Sequence, residues 1–325
     1  MRPQQTKNMF GLLLIFSLTV TIQAQNFRAA TASSYIERGN KWFAKSEYAL
    51  AEADFDLAIA SDPRCAEAYY NRGTTRRQIG KLAEALTDFD HALQLNPRII
   101  EAYMNRGGLR YLLGDLEGTI SDNSKAIELN PKLVEAWGNR GQARCDKGDL
   151  EGGIADLDQA LKLNPRIAQI WGSRGLARLL KHDLTGAISD YTREIKLDPG
   201  SALAYCDRGA VRQRTGDLDG ALADYNQALK LNPGLDNSWF NRGLLWKAKE
   251  NLLQAEADFT QAIELNPRLT GAYAQRGLVR LSQGRAAEAQ ADFDRCLELD
   301  KDLKESLERG IAEVKQQLTM RASIR

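Results

Sequence analysis

From residue 32 onward, apolar residues recur three and four positions apart in short blocks separated by polar stretches, the spacing of amphipathic helices. The blocks come in pairs, and the pair returns every 34 residues. With each proline set at position 32 of the unit, positions 4, 7, 8, 11 and 14 share one face of a first helix. Position 4 is aromatic in every unit: Tyr35, Tyr69, Tyr103, Trp137, Trp171, Tyr205, Trp239 and Tyr273. Position 15 is usually glycine, as in Gly80, Gly114, Gly148, Gly216 and Gly284, which can end a helix in the left-handed conformation. An aspartate often follows and can cap the next helix, as at Asp115, Asp149, Asp183 and Asp217. In the second helix, Ala85, Phe89 and Ala92 illustrate an i, i+4, i+7 packing stripe at positions 20, 24 and 27.

The period is strict. Seven of the eight prolines, from Pro63 to Pro267, stand 34 residues apart, and the Arg-Gly pairs from Arg38-Gly39 to Arg276-Gly277 keep the same step. Eight units tile residues 32–303 without an insertion: 32–65, 66–99, 100–133, 134–167, 168–201, 202–235, 236–269 and 270–303. One helix pair is too small to bury its own stripe, so stability must come from stacking neighbours. Residues 304–325 supply a charged segment carrying Leu307, Ile311, Val314 and Leu318, suited to a C-terminal capping helix and tail. Lys301 stands where proline is due, which predicts that this cap runs on from the preceding helix.

An aromatic at position 4, Gly at 8, Ala-x3-aromatic in the second helix and a closing Pro at 34-residue spacing resemble the tetratricopeptide repeat (TPR) family. The resemblance implies an all-α TPR α-solenoid, a right-handed superhelix of helix-turn-helix repeats closed by the C-terminal capping helix. Two departures from the family pattern are regular. Arg stands at position 7 in all eight units, and at position 11 in six, with Trp42 and Trp246 in the other two. Each position-7 Arg is followed sixteen residues later by an Asp, which predicts a ladder of Arg–Asp pairs between helices.

The amino terminus reads differently. Arg2 and Lys7 precede an apolar run from Met9 to Ile22, too short for the ~20 residues that span a bilayer. Residues 1–24 are expected to be a secretory signal peptide with cleavage after Ala24, and residues 25–31 a linker. This predicts an exported protein, periplasmic or secreted, with no membrane span in the mature chain. The alternative is an uncleaved signal anchor.

Composition narrows the chemistry. Lys+Arg number 44 against 43 Asp+Glu, a net charge of +1, so there is no broad pull toward nucleic acid. Cys65, Cys145, Cys206 and Cys296 fall at four different positions of the unit and are expected to be free thiols. His91 and His182 lie in different units, so they share no metal or base role. No catalytic residue, cofactor or metal site is expected, and no enzyme. In the third unit Thr119 and Asn123 replace the usual alanine and aromatic, and in the fourth Gly152-Gly153 start the second helix, which predicts local flexibility at the middle of the stack.

In the superhelix implied by the resemblance, the side of the first helix opposite its packing stripe lines a concave groove where a ligand segment lies. Position 6 carries Asn71, Asn105, Asn139 and Asn241, similar to the asparagine ladder in the TPR domain of O-GlcNAc transferase. An amide both donates and accepts, so it can pair with a peptide backbone of any sequence. Glu67, Glu101 and Glu135 line the first half, with Tyr70 and Met104. Leu176, Phe240, Leu244 and Leu278 make the second half apolar. The expectation is a non-enzymatic scaffold binding an extended protein or peptide segment that has basic and apolar parts. Weak self-association through the solenoid ends, or a targeting subunit that positions a catalytic partner, is the second reading.

Overall fold

A computed structural model describes Arg28 and residues 30–323; the expected signal peptide, residues 1–24, lies outside the described residues. Helix α1 covers residues 30–44, so helical structure extends back into the stretch read as a linker. The reason is local: an alanine-rich start favours helix propagation. All regular structure among the described residues is helical. The chain divides into two units, the first ending at Leu163 and the second starting at Asn164.

In the first unit, α1 is followed by α2 (Tyr48–Ser61), α3 (Ala66–Gln78), α4 (Leu82–Leu95), α5 (Ile100–Leu112), α6 (Leu116–Leu129), α7 (Val134–Asp146) and α8 (Leu150–Leu163). Odd and even helices are the first and second helices of the repeats, and consecutive helices pack on one another. Ala51, Phe55 and Ala58 on α2 and Ala85, Phe89 and Ala92 on α4 are fully or almost fully buried, which is the stripe read from the sequence. Position 8 must be small here: a Cβ on Gly73 would lie 3.0 Å from both Asp88 Cβ and Phe89 Cε1. The third repeat differs in its core residues. Thr119 and Asn123 are buried; Thr119 donates to the Gly107 carbonyl, and Asn123 Oδ1 finds no hydrogen-bond partner.

The second unit repeats the scheme with α9 (Ala168–Leu180), α10 (Leu184–Leu197), α11 (Ala202–Arg214), α12 (Leu218–Leu231), α13 (Asp236–Ala248), α14 (Leu252–Leu265), α15 (Thr270–Ser282) and α16 (Ala286–Leu299). A 3-10 turn, Lys301–Leu303, then leads into α17 (Lys304–Ser323). The cap therefore does not run on from α16. Asp300 is extended, and its carboxylate accepts the Asp302 N–H at 2.9 Å, which ends one helix and starts the turn.

Position 15 takes the left-handed conformation throughout. Five of its residues are glycines, with φ between 80° and 95°, and the other three are Ser46 at 61°, His182 at 64° and Glu250 at 59°. The aspartates that follow cap as predicted: Asp115, Asp149, Asp183 and Asp217 accept the N–H of Gly118, Gly152, Gly186 and Gly220.

Candidate protein-binding face

The arginine ladder fixes the first helices. Each position-7 Arg grips its Asp through two hydrogen bonds, from Arg38–Asp54 to Arg276–Asp292. The Arg at position 11, where present, adds a third: Arg76, Arg110, Arg144, Arg178, Arg212 and Arg280 donate at 2.8–3.0 Å. The position-7 guanidinium also lies over the position-4 ring, 4.8 Å from the Trp137 centroid for Arg140. Its remaining Nη1 reaches back into the preceding repeat, from Arg72 to Asp56, Arg106 to Asp90 and Arg140 to Ser124. One side chain thus ties two helices of its own repeat to a helix of the repeat before. These arginines are committed to the framework.

In the first unit, Asn71, Asn105 and Asn139 occupy one register on α3, α5 and α7. Asn71 Nδ2 donates to Asn40 Oδ1 at 3.1 Å, and Asn105 Nδ2 donates to the Tyr70 hydroxyl at 3.2 Å. Both bonds link adjacent repeats. Asn139 is exposed and borders a cleft of about 100 Å³ with Gly108, Tyr111, Thr119 and Gln142. Tyr111 donates to Asp146 at 2.6 Å across the same gap, and that bond pushes its hydroxyl up to about 12. Glu67, Glu101 and Glu135 are exposed in the first turns of α3, α5 and α7, where the helix dipole favours a carboxylate. Tyr70 and Met104 are half-buried. Tyr70 packs on Phe89, ring centroids 6.1 Å apart, and Met104 against the cluster around Ala102 and Tyr103, so each has one side in the core.

In the second unit, Leu176 is 43% exposed, with Leu180 and Leu203 also open. Phe240 and Leu244 are half-buried against Ala255, Phe259 and Val279, and Asn241 lies beside the Cys206 thiol. Leu278 corrects the sequence expectation: it is only 8% exposed, beneath α17. Gly310 makes that approach possible, since a Cβ there would already lie 3.2 Å from Leu278 Cδ1. Between α13, α15 and α17 a cleft of about 560 Å³ remains, lined in part by Lys247, Gln275, Arg309 and Glu313. Lys247 donates to Gln275 at 2.7 Å, and burial holds its ammonium below the usual lysine range. Sequence reasoning missed Lys247; no repeated motif marks it.

Cys65, Cys145, Cys206 and Cys296 are free thiols, and burial pushes Cys145 up to about 11, far from a reactive thiolate. Among the described residues, no cluster of His, Cys, Asp and Glu could hold a metal ion, and no helix is long and apolar enough to cross a membrane.

Three family models described as tetratricopeptide repeats match the chain: one at residues 66–99 and 202–235, one at 139–202, and one at 236–269 and 270–303. No curated protein matches it. Among solved structures it is similar to a tetratricopeptide repeat protein from Parabacteroides merdae, with 21% identity, a TM-score of 0.59, and coverage of 77% of this chain and 99% of that one. The C-terminal part of a TPR repeat-containing protein from Cytophaga hutchinsonii is 16% identical, with a TM-score of 0.59 over 74% of this chain and 98% of that one. Pseudomonas aeruginosa PilF is 17% identical, with a TM-score of 0.56, covering 65% and 96%. At these identities the structures speak for the fold alone, whereas the family models together match more than half of the chain. The chain belongs to the tetratricopeptide repeat family, whose members generally serve as scaffolds for protein partners.

Proposed function

We propose that the chain binds an extended protein segment along the exposed faces of the first helices, each unit contributing its own stretch of surface. The observation that carries this is the recurrence of Asn71, Asn105 and Asn139 at one register on α3, α5 and α7, with an open cleft at Asn139. Side-chain amides at repeat spacing can pair with the backbone of an extended segment, which has donors and acceptors at regular intervals. The flanking Glu67, Glu101 and Glu135 favour a segment with basic side chains there. In the second unit, exposed Leu176 and half-buried Phe240 and Leu244 favour apolar ones. Leu278 takes no part while α17 covers it.

The basic, then apolar, start of residues 1–24 supports an exported protein; amino-terminal sequencing of the mature chain tests this. The binding reading is tested by replacing Asn71, Asn105 and Asn139 together with alanine and Phe240 and Leu244 with glutamate. Loss of the co-purifying partners, with the helical melt retained, supports it. Retention of every partner by both variants refutes it.

A further inference from the structure

The chain compensates its buried carboxylates with care. The position-23 aspartates each carry an arginine, and Glu52 and Glu256 each carry two cations. Glu194, half-buried, breaks that rule, and Asp207, which stays open to solvent, shares its field. Position 27 is a buried Ala or Cys in the other repeats, such as Ala160, Ala228 and Cys296, but Glu194 on α10. Its carboxylate lies over Gly172 of α9, where a Cβ would be 2.5 Å from Oε2 and 3.0 Å from Oε1. Asp207 sits on α11 at the register of the asparagines.

Neither acid has an ion-pair partner among the described residues, and the arginine next to each in sequence is engaged elsewhere. Arg193 lies over Trp171, and Arg208 holds Asp224. The surroundings act accordingly. Burial, then the charges of Asp207 and Asp198, push Glu194 up to about 7, with only the Ser201 hydroxyl opposing. Asp207 still meets solvent, yet the protein crowded around it pushes it up to about 6.

A third group points the same way. Tyr191 is 1% exposed, and its hydroxyl has no hydrogen-bond partner. Its counterpart one repeat later, Tyr225, donates to Gln213 at 2.9 Å, but the corresponding residue of α9 is Leu179. The hydroxyl stands instead in the field of Asp207 and Glu194. Two carboxylates and a hydroxyl, within one another's electrostatic field and without an ion-pair partner among the described residues, form a receptor that lacks its positive charge.

We infer that Glu194 and Asp207, with the buried Tyr191 hydroxyl in their field, form a subsite on the second unit that takes a primary ammonium or guanidinium, the head of a lysine or arginine side chain of the bound segment. This rests on the proposed binding of an extended segment and adds to it a basic residue next to the apolar stretch around Leu176 and Leu203. The alkyl stem of such a side chain would lie along those leucines, with its charge at the acids.

The test uses the full chain with 13C-labelled carboxylates and Nα-acetyl-lysine N-methylamide as probe, with the norleucine analogue as uncharged control. The expected result is a saturable shift of the Glu194 and Asp207 carboxyl signals with the lysine compound only, weakened about tenfold or more in Glu194→Gln. Asp207→Asn, at a solvent-exposed site, repeats the measurement should Glu194→Gln disturb packing. Absence of a shift, or an equal shift with norleucine, overturns the subsite. The side-chain amide signals of Asn71 and Asn105, followed with an uncharged extended peptide, report the backbone-binding reading separately, so either can fail while the other stands.

Discussion

Arg140 holds both oxygens of Asp156, Nε 2.8 Å from Oδ2 and Nη2 2.8 Å from Oδ1, while Arg144 also donates to Oδ2 at 2.8 Å. The aspartate is thus shared, and reversing one pair does not reverse the site. Arg140→Asp or Asp156→Arg alone should cost about 3–5 kcal/mol by leaving buried charge unpaired. The double variant should recover little, because Arg144 then faces an arginine. In the seventh repeat Trp246 stands in place of that second arginine, and Arg242 alone grips Asp258. There the swap Arg242→Asp with Asp258→Arg should recover more. Thermal melts of both cycles check this; equal recovery would contradict the shared-aspartate account.

His182 and Glu250 hold left-handed backbone at a position that is otherwise mostly glycine. Such a conformation costs a non-glycine residue about 1–2 kcal/mol. Glycine gives part of that back as unfolded-state freedom, so His182→Gly and Glu250→Gly should each stabilise by up to about 1 kcal/mol. Denaturant midpoints at unchanged slope measure it.

Asn123 carries an unpartnered Oδ1 inside the core where other repeats place an aromatic or Leu157. Replacing Thr119 with Ala and Asn123 with Leu removes the orphan group and refills the stripe. A gain of about 1–3 kcal/mol is expected, together with slower amide exchange in α5 and α6.

The acids of the proposed subsite also set a pH response. Glu194 is raised from an ordinary 4.5 to about 7, so between those values the folded chain holds more protons than the unfolded one. Its contribution to stability therefore falls as pH rises through that window. Glu52 and Glu256 are held below the usual range; despite their burial, the hydrogen bonds and charges of their basic partners prevail, and their stabilisation is lost only as pH falls below 4.5. Melting temperature should drop from pH 5 to pH 8 more steeply in the unaltered chain than in Glu194→Gln.

The repeated elements were legible because 34-residue spacing exposes any position that recurs. The Arg–Asp pairs sixteen residues apart, the caps at Asp115 and Asp217, and the Ala85–Phe89–Ala92 stripe all stand where the sequence puts them. The backward reach of position-7 arginines was not legible, since its acceptors vary among Asp56, Ser124, Asn226 and Thr260. Nor was the burial of Leu278: α17 falls outside the period, and its course follows from Asp300 ending α16 and Gly310 admitting close contact. Glu194 is visible in the sequence as a departure from alanine, but its nearness to Asp207 and Tyr191 needs the packing of α9, α10 and α11.

The central claim is that partner proteins contact the exposed faces of the first helices. Site-specific photo-crosslinking in the native cell tests it most directly, with the crosslinker placed in turn at Asn105, Asn139 and Leu176, and at Lys125 and Lys196 on second helices. The account predicts discrete protein adducts from the first three sites and none from the two lysine sites. Adducts from Lys125 and Lys196, with Asn105, Asn139 and Leu176 silent, would contradict it.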